Sequence, residues 1–449
     1  MHFSILDSTD PGQVIAATRR SPAKKTLYIV SSKSGGTAEV NAFLDYFWAR
    51  THRIVGKEVN QHFIAITDPN TSLYKLALER GFRKIFKADP NVGGRYSALT
   101  AFGIVPAGLM GIDLDKLLGL ARYIADQCAA NVPEERNPGL VLGAILGEAV
   151  RHGRDKLTII ADQQLVSIGS WLEQLVAESS GKQNVGIVPV DGEPVAAPQV
   201  YGNDRLFIYL RFDGKHDQQC VRLRKAGHPV LTINVPDSYA LGAEFYRWEM
   251  ATAVACIILG VNAFDQPDVQ DAKTRTKDKI ADYLASGVFD EGKPVWEGQG
   301  VRVYGDLPSG ITGLNDALEV FLALGKAGDY VALNAFLPRN AHNETSLRKL
   351  RIAIRAKTRL ATTVGFGPRF LHSTGQLHKG GANNGMFLQI TADPINDIKI
   401  PGQGLSFSAM ERGQSLGDME ALRARGRRVM RVHLDQPSLV HLLLQAIKI

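Results

Sequence analysis

Residues 26–48 begin Thr26-Leu27-Tyr28-Ile29-Val30, continue Ser31-Ser32-Lys33-Ser34-Gly35-Gly36-Thr37, and run into Ala38-Glu39-Val40-Asn41-Ala42-Phe43-Leu44. The first piece is a short apolar run of β type, the last has a helical pattern, and hydroxyls and glycines fill the turn between them. Strand, turn and helix start together present free backbone N–H groups, and the positive end of a helix dipole, to an anion. Ser32, Ser34 and Thr37 add hydroxyl donors and the glycines allow close approach, so Ser32, Lys33, Ser34 and Thr37 are the candidate phosphate-binding residues. The turn has neither the G-x-x-x-x-G-K-[ST] nor the G-x-G-x-x-G order, which points away from a nucleotide and towards a compact phosphate ester. An ordinary N-capped helix after a flexible turn fits the same residues.

Outward from this stretch, apolar β-type runs alternate with helical patterns. Candidate strands are 26–30, 63–66, 157–161, 206–210 and 230–235, with helical stretches at 72–80, 114–131, 139–153, 167–179 and 240–260. Such alternation predicts an α/β protein with mainly parallel sheets. The pattern restarts near Asp155, and a Gly/Pro-rich shift spans residues 290–310. The expected organisation is one unit over residues 1–155, a second over 156–290 and a C-terminal α/β unit over 291–449. In the last, 345–359 reads as a helix and 386–391 and 428–434 as strands. Residues 291–340 yield no chemical reading.

The 449 residues are 45% hydrophobic and 22% charged, ordinary proportions for a folded chain of two or three domains. The net charge of +7 suits anionic substrates. Basic runs at 348–359 and 423–428 carry no interleaved aromatic residues, so no nucleic-acid partner is expected. Cys128, Cys220 and Cys256 lie far apart and form neither a metal spacing nor a disulfide framework, which points to a reducing cytoplasm. The start of the chain lacks a signal-peptide layout, and the longest apolar stretch, near 250–261, is too short to span a bilayer, so no membrane partner is expected.

Four further segments can carry chemistry. In Val92-Gly93-Gly94-Arg95-Tyr96-Ser97, an arginine beside two glycines can bring fixed positive charge to a ligand, or simply hold a loop by carbonyl contacts. Glu178 closes the apolar helical stretch 171–177, where a partly buried carboxylate could serve as a general base. Pro267 fits the first turn of a helix capped by Asp265, which would present Gln266 and Lys273 near its start. His372, within the polar, glycine-dense run 365–381, is suited to acid–base work near neutral pH, or to stabilising a loop.

In this order the segments resemble the phosphoglucose isomerase family over roughly residues 1–280. Ser31–Val40 is similar to its phosphate loop, Val92–Ser97 to its first signature, Glu178–Lys182 to the segment with the catalytic glutamate, and Phe264–Lys273 to the second signature. Gly365–Gly381 and Glu411–Asp418 resemble the isomerase half of transaldolase/phosphoglucose isomerase fusions. The resemblance implies two three-layer αβα sugar-isomerase domains plus the C-terminal unit, a sugar-phosphate substrate, no metal or redox cofactor, and a homodimer that completes the cleft. It implies interconversion of glucose 6-phosphate and fructose 6-phosphate through a cis-enediol. Glu178 would shuttle the proton, Arg95 would stabilise the developing charge, and His372 with Lys273 would open the ring. Gly94 and Gln266, with the 32–37 turn, would bind sugar and phosphate.

The chain departs from the family pattern in three places. No Gly-Ile-Gly-Gly-Ser-type loop precedes Leu6, so an N-terminally truncated first domain is expected. Asp268 stands where the second signature has a small residue. The histidine-bearing string, Leu371-His372-Ser373-Thr374-Gly375-Gln376, occurs in the C-terminal unit instead of shortly after the glutamate. An isomerase that also takes mannose 6-phosphate, and a sugar-phosphate-binding module with impaired turnover, are the alternative readings.

Overall fold

A computed structural model describes residues 2–447; Met1, Lys448 and Ile449 lie outside the described residues. The chain builds three sheets in succession. The first comes from α1 (Pro11–Arg20), β1 (Tyr28–Ser31), α2 (Ala38–Val55), β2 (Phe63–Thr67), α3 (Ser72–Glu79) and β3 (Lys84–Lys87). Its three strands are parallel in the order β1-β2-β3. β2 is buried along its whole length, as a central parallel strand covered on both faces must be. Val30, Leu44, Phe47, Phe63 and Ala65 form the core between that sheet and its helices.

Helices α4 (Ala101–Leu109), α5 (Leu114–Gln127) and α6 (Pro138–Arg151) lead into the second sheet. There β4 (Lys156–Ala161), α7 (Ile168–Ser180), β5 (Val188–Val190), β6 (Arg205–Arg211), α8 (Asp217–Lys225), β7 (Val230–Asn234) and α9 (Leu241–Leu259) follow one another. The strands are again parallel, in the order β5-β4-β6-β7. α6 lies closely along α9 because its facing positions are glycines. A Cβ at Gly139, Gly143 or Gly147 would come within 2.5, 2.5 and 2.8 Å of Met250, Val254 and Ile258. Residues four apart share a helix face, so one stripe of small residues meets one ridge of large ones.

After α10 (Val269–Ser286) the third sheet forms from β8 (Trp296–Gly298), β9 (Val301–Gly305), α11 (Leu314–Ala323), β10 (Tyr330–Phe336), α12 (Ala341–Thr358), β11 (Ala361–Phe366), α13 (Gly375–Gly380), β12 (Gly385–Ala392), α14 (Phe407–Ala424), β13 (Arg428–Leu434) and α15 (His441–Ala446). Its order is β11-β10-β12-β13-β9-β8, parallel through β13 and antiparallel at β9 and β8. Val331, Leu333, Leu388, Ile390, Met430 and Val432 are sealed inside it. The architecture is α/β with mainly parallel sheets, as the alternation predicts. Among the described residues no helix is long and apolar enough to cross a membrane.

The differences are local. The helix expected to begin at Pro267 begins at Val269, after Asp268, and no side chain caps it. Asp265 is instead drawn 2.7 Å from the ammonium of buried Lys182, an ion pair that a lone backbone N–H cannot match. The helix expected over 114–131 stops at Gln127, with Cys128 closing its last turn. Residues 291–340 contain β8, β9, α11 and β10.

Candidate active site

The 31–37 turn is fixed by its own chemistry. Gly35 has φ +69°, and a Cβ there would lie 2.7 Å from the Leu73 nitrogen, so only glycine fits. The hydroxyls of Ser32 and Thr37 bond across the turn at 3.0 Å, and the Gly36 N–H donates to Ser34 Oγ at 3.3 Å. Thr37 is the N-cap of α2, yet its side chain makes no cap bond, which leaves the first N–H groups of the helix for an outside acceptor. Lys33 is turned away. It pairs with Asp68 and donates to the carbonyls of Asp89 and Pro90 at 3.4 and 3.3 Å, so its charge holds the turn.

Glu39, in the first turn of α2, is only 7% exposed. Its Oε1 accepts from His372 Nε2 at 2.8 Å and from Gln414 Nε2 at 2.6 Å. His372 ends the short turn after β11, and Gln414 lies on α14, so the C-terminal unit grips the helix that follows the phosphate turn. Burial works against charge on both partners, but their mutual attraction wins: the Glu39 carboxyl sits below its ordinary range and the His372 imidazole above it. Because a carboxylate can only accept, Nε2 carries the proton of that bond, and Nδ1 is the nitrogen left for a ligand. The charges of Lys273 and Glu178 also act on His372, the lysine lowering and the glutamate raising its pKa.

Arg95 is 4% exposed, in a short turn at Gly94–Tyr96. Its Nε donates to Ser179 Oγ at 2.8 Å, Nη1 to Gln266 Oε1 at 2.9 Å, and Nη2 to the carbonyls of Ala263 and Asp265 at 2.6 and 2.9 Å. Nη1 also lies 3.3 Å from Glu178 Oε1. A guanidinium has five N–H groups, and these contacts use its donors, so Arg95 both ties the 263–266 loop to α7 and stations positive charge against Glu178. Glu178, on the last turn of α7, is 14% exposed and receives a second bond from Gln174 Nε2 at 3.2 Å. Lys273, on the first turns of α10, is exposed.

The structure thus brings Arg95, Glu178 and Gln266 into one contact group, the charges of Glu178 and Lys273 reach His372, and Glu39 links His372 to the helix that follows the 31–37 turn. Gly94 lies on the Arg95 turn. All three sheets contribute. The arrangement offers an anion site, a carboxylate beside a fixed cation, and a carboxylate-oriented imidazole, the parts needed for proton transfer on a phosphorylated substrate.

Glu39 and Gln414 are the residues that sequence reasoning missed. Glu39 stood inside the quoted stretch, two positions past Thr37, but an acid at a helix start also reads as a favourable partner of the dipole. Gln414 carries no signal of its own. Asp268, the departure from the signature, accepts from Gln376 Nε2 at 2.6 Å and pairs with Arg425 at 2.6 Å, so it fastens α10 to the C-terminal unit. The other histidine of the run, His378, lies 6.5, 6.1 and 4.8 Å (ring centroids) from Tyr330, Phe370 and Phe387, and burial drives its pKa well below the ordinary value. It is a core residue.

Comparison with known proteins identifies relatives of the chain. The family model described as phosphoglucose isomerase matches residues 1–203. A glucose-6-phosphate isomerase from Carboxydothermus hydrogenoformans is 31% identical over 325 residues, covering 61% of this chain and 69% of that protein. One from Thermus thermophilus is 30% identical over 329 residues, covering 63% and 78%. A crystal structure of a hypothetical protein, also from Thermus thermophilus, superposes with a TM-score of 0.57 at 28% identity, over 62% of this chain and 77% of that one. The chain belongs to the phosphoglucose isomerase family.

Proposed function

We propose that this chain is an aldose–ketose isomerase that interconverts glucose 6-phosphate and fructose 6-phosphate, with its own residues in the roles that follow. The phosphate binds at the start of α2, on its free N–H groups and the hydroxyls of Ser32, Ser34 and Thr37. Binding there fixes the reacting carbons by energy drawn from a remote group. His372 opens the ring through Nδ1, with Glu39 fixing its orientation and Lys273 assisting at the ring oxygens. In the open chain Glu178 removes the proton from C2. Negative charge then grows on O1 as the cis-enediol forms, and the nearby Arg95 opposes it by its field, since its own donors are engaged. A proton passes from O2 to O1, Glu178 returns its proton to C1, and the ketose results. Gln266 and the exposed backbone at Gly94 contact the sugar.

The observation that carries this reading is the 3.3 Å approach of Arg95 to Glu178 together with the His372–Glu39 bond of 2.8 Å. One chain supplies each residue named here, and the resemblance leads us to expect a homodimer that completes the cleft. The test is a coupled assay on wild type and Glu178→Gln in both directions, together with calorimetric binding of fructose 6-phosphate. Loss of turnover with binding retained supports the assignment; near-normal turnover in the variant removes Glu178 from the mechanism.

A further inference from the structure

The C-terminal unit holds a second concave region that this chemistry leaves unused. A cavity of about 300 Å³ opens outside the carboxyl ends of β10 and β12, where Phe336 and Thr391 line it. β10 and β12 are neighbours in a sheet whose chain order reverses between them, the place where open α/β sheets seat ligands. The first turns of α14 form one wall, the end of α10 another, and Asp10 from the N-terminal segment closes a third side.

Glu411, on the α14 wall, is only 8% exposed, and its Oε1 has no hydrogen-bond partner among the described residues. A buried carboxyl without a donor is costly, so its presence in a cavity wall points to a partner from outside. The charges around it say which kind. Among the described residues Arg412 is the one cationic residue of the lining, and it is already committed to Glu291 at 2.8 Å and Asp393 at 2.7 Å. Arg431 adds a second pair to Glu291, also at 2.8 Å. With those acids compensated, Asp10 and Glu411 remain. Asp10 spends Oδ1 on the Gln13 N–H of α1 at 2.9 Å but forms no ion pair among the described residues. Burial pushes Asp10 up to about 6 and Glu411 well above its ordinary range, and the two repel each other. In the same lining, Tyr283 and Phe289 stack at 4.4 Å.

The geometry points to a site for a small organic cation, a primary ammonium on a compact body, held by the carboxylates of Asp10 and Glu411 with its carbons against Tyr283, Phe289 and Phe336. A bound ammonium donates to both carboxylates and supplies the missing positive charge, and the aromatic faces favour it further. A metal ion fits less well, because among the described residues no three of His, Cys, Asp and Glu cluster as ligands.

The test is calorimetric titration of the full chain with ethanolamine, with ethylene glycol as its uncharged counterpart, and with potassium chloride. Ethanolamine is expected to saturate one site while the glycol and potassium give none. Glu411→Gln and Asp10→Asn should each weaken it at least tenfold. Glu411→Gln keeps shape and removes a buried acid, and Asn caps a helix as well as Asp does, so melting curves of both variants check that they fold. Fructose 6-phosphate should neither displace ethanolamine nor change its KM in these variants, so the two sites stand or fall separately. Absence of saturation, equal binding of glycol or potassium, or an undiminished ethanolamine response in folded Glu411→Gln overturns the proposal.

Discussion

At the scale of single residues, the proposed mechanism divides the work between Glu178 and the His372–Glu39 pair, and each makes a separate prediction. A general base contributes about 10²–10⁴-fold to rate, so Glu178→Gln should lower kcat by about that factor while KM for fructose 6-phosphate moves little. His372→Ala should abolish turnover of the cyclic sugar yet spare the open-chain form, read by stopped-flow with freshly opened substrate; equal loss on both removes His372 from ring opening. The pair also has a signature in stability. The His372 pKa is raised above its ordinary 6.5, so its contribution is full below that pH and is lost as pH rises through the raised value. The Glu39 pKa is lowered below 4.5, so its contribution is full above that pH and is lost as pH falls through the lowered value. The melting-temperature gap between wild type and His372→Ala should therefore be widest between about pH 4.5 and 6.5 and narrow on both sides. Much of this site was legible from the sequence because Arg95, Glu178, Gln266 and Lys273 sit in short segments of distinctive chemistry. Glu39 was not, because its role is defined by a histidine 333 residues away.

At the scale of elements, α7 carries two acids with opposite surroundings. Glu178 faces the cleft on the last turn, whereas Glu173, a turn and a half earlier, is buried and accepts from Ser373 Oγ at 3.0 Å. Burial, with nearby Asp191 adding repulsion against Arg369, lifts Glu173 from 4.5 to about 7. An acid raised by folding stabilises least when ionised, so its cost grows as pH rises from 4.5 through 7. Glu173→Gln should flatten that slope, gaining on the order of 3 kcal/mol at pH 8 relative to pH 5 by denaturant titration. The same elements explain what the sequence concealed. β4 and β6 centre on apolar runs, and β13 sets Val429, Met430, Val432 and Leu434 among its charged and polar residues, so their strands could be read. β10 is equally buried, but Tyr330-Val331-Ala332-Leu333-Asn334-Ala335-Phe336 joins an apolar α11 across Gly325 and Gly328, and such runs do not separate strand from helix. α10 exposes charge along its length and buries no residue fully, so the proline near its start announced it where no amphipathic stripe could.

At the scale of the whole molecule, one chain draws the residues of the proposed site from all three sheets: Glu39 on the helix after the first turn, Glu178 on α7 and His372 after β11. Mixing inactive His372→Ala with inactive Glu178→Gln, by co-expression or by refolding together, should then restore no activity. Recovery of about a quarter of wild-type activity would mean that a dimer shares its residues across subunits. Contacts spanning nearly the full chain bind the assembly, among them Thr9 to Gln414 at 3.1 Å and the Ser8 hydroxyl to the Gly367 carbonyl at 3.1 Å. The bond between Glu39 and His372 has a further consequence for biosynthesis. Ribosomes add roughly 5–20 residues per second, so for tens of seconds the nascent polypeptide carries Glu39 before its imidazole has been translated. Premature termination between codons 56 and 372 would release a product that still has the Ser31–Thr37 turn and Glu39 but lacks the imidazole that Glu39 holds in the complete chain.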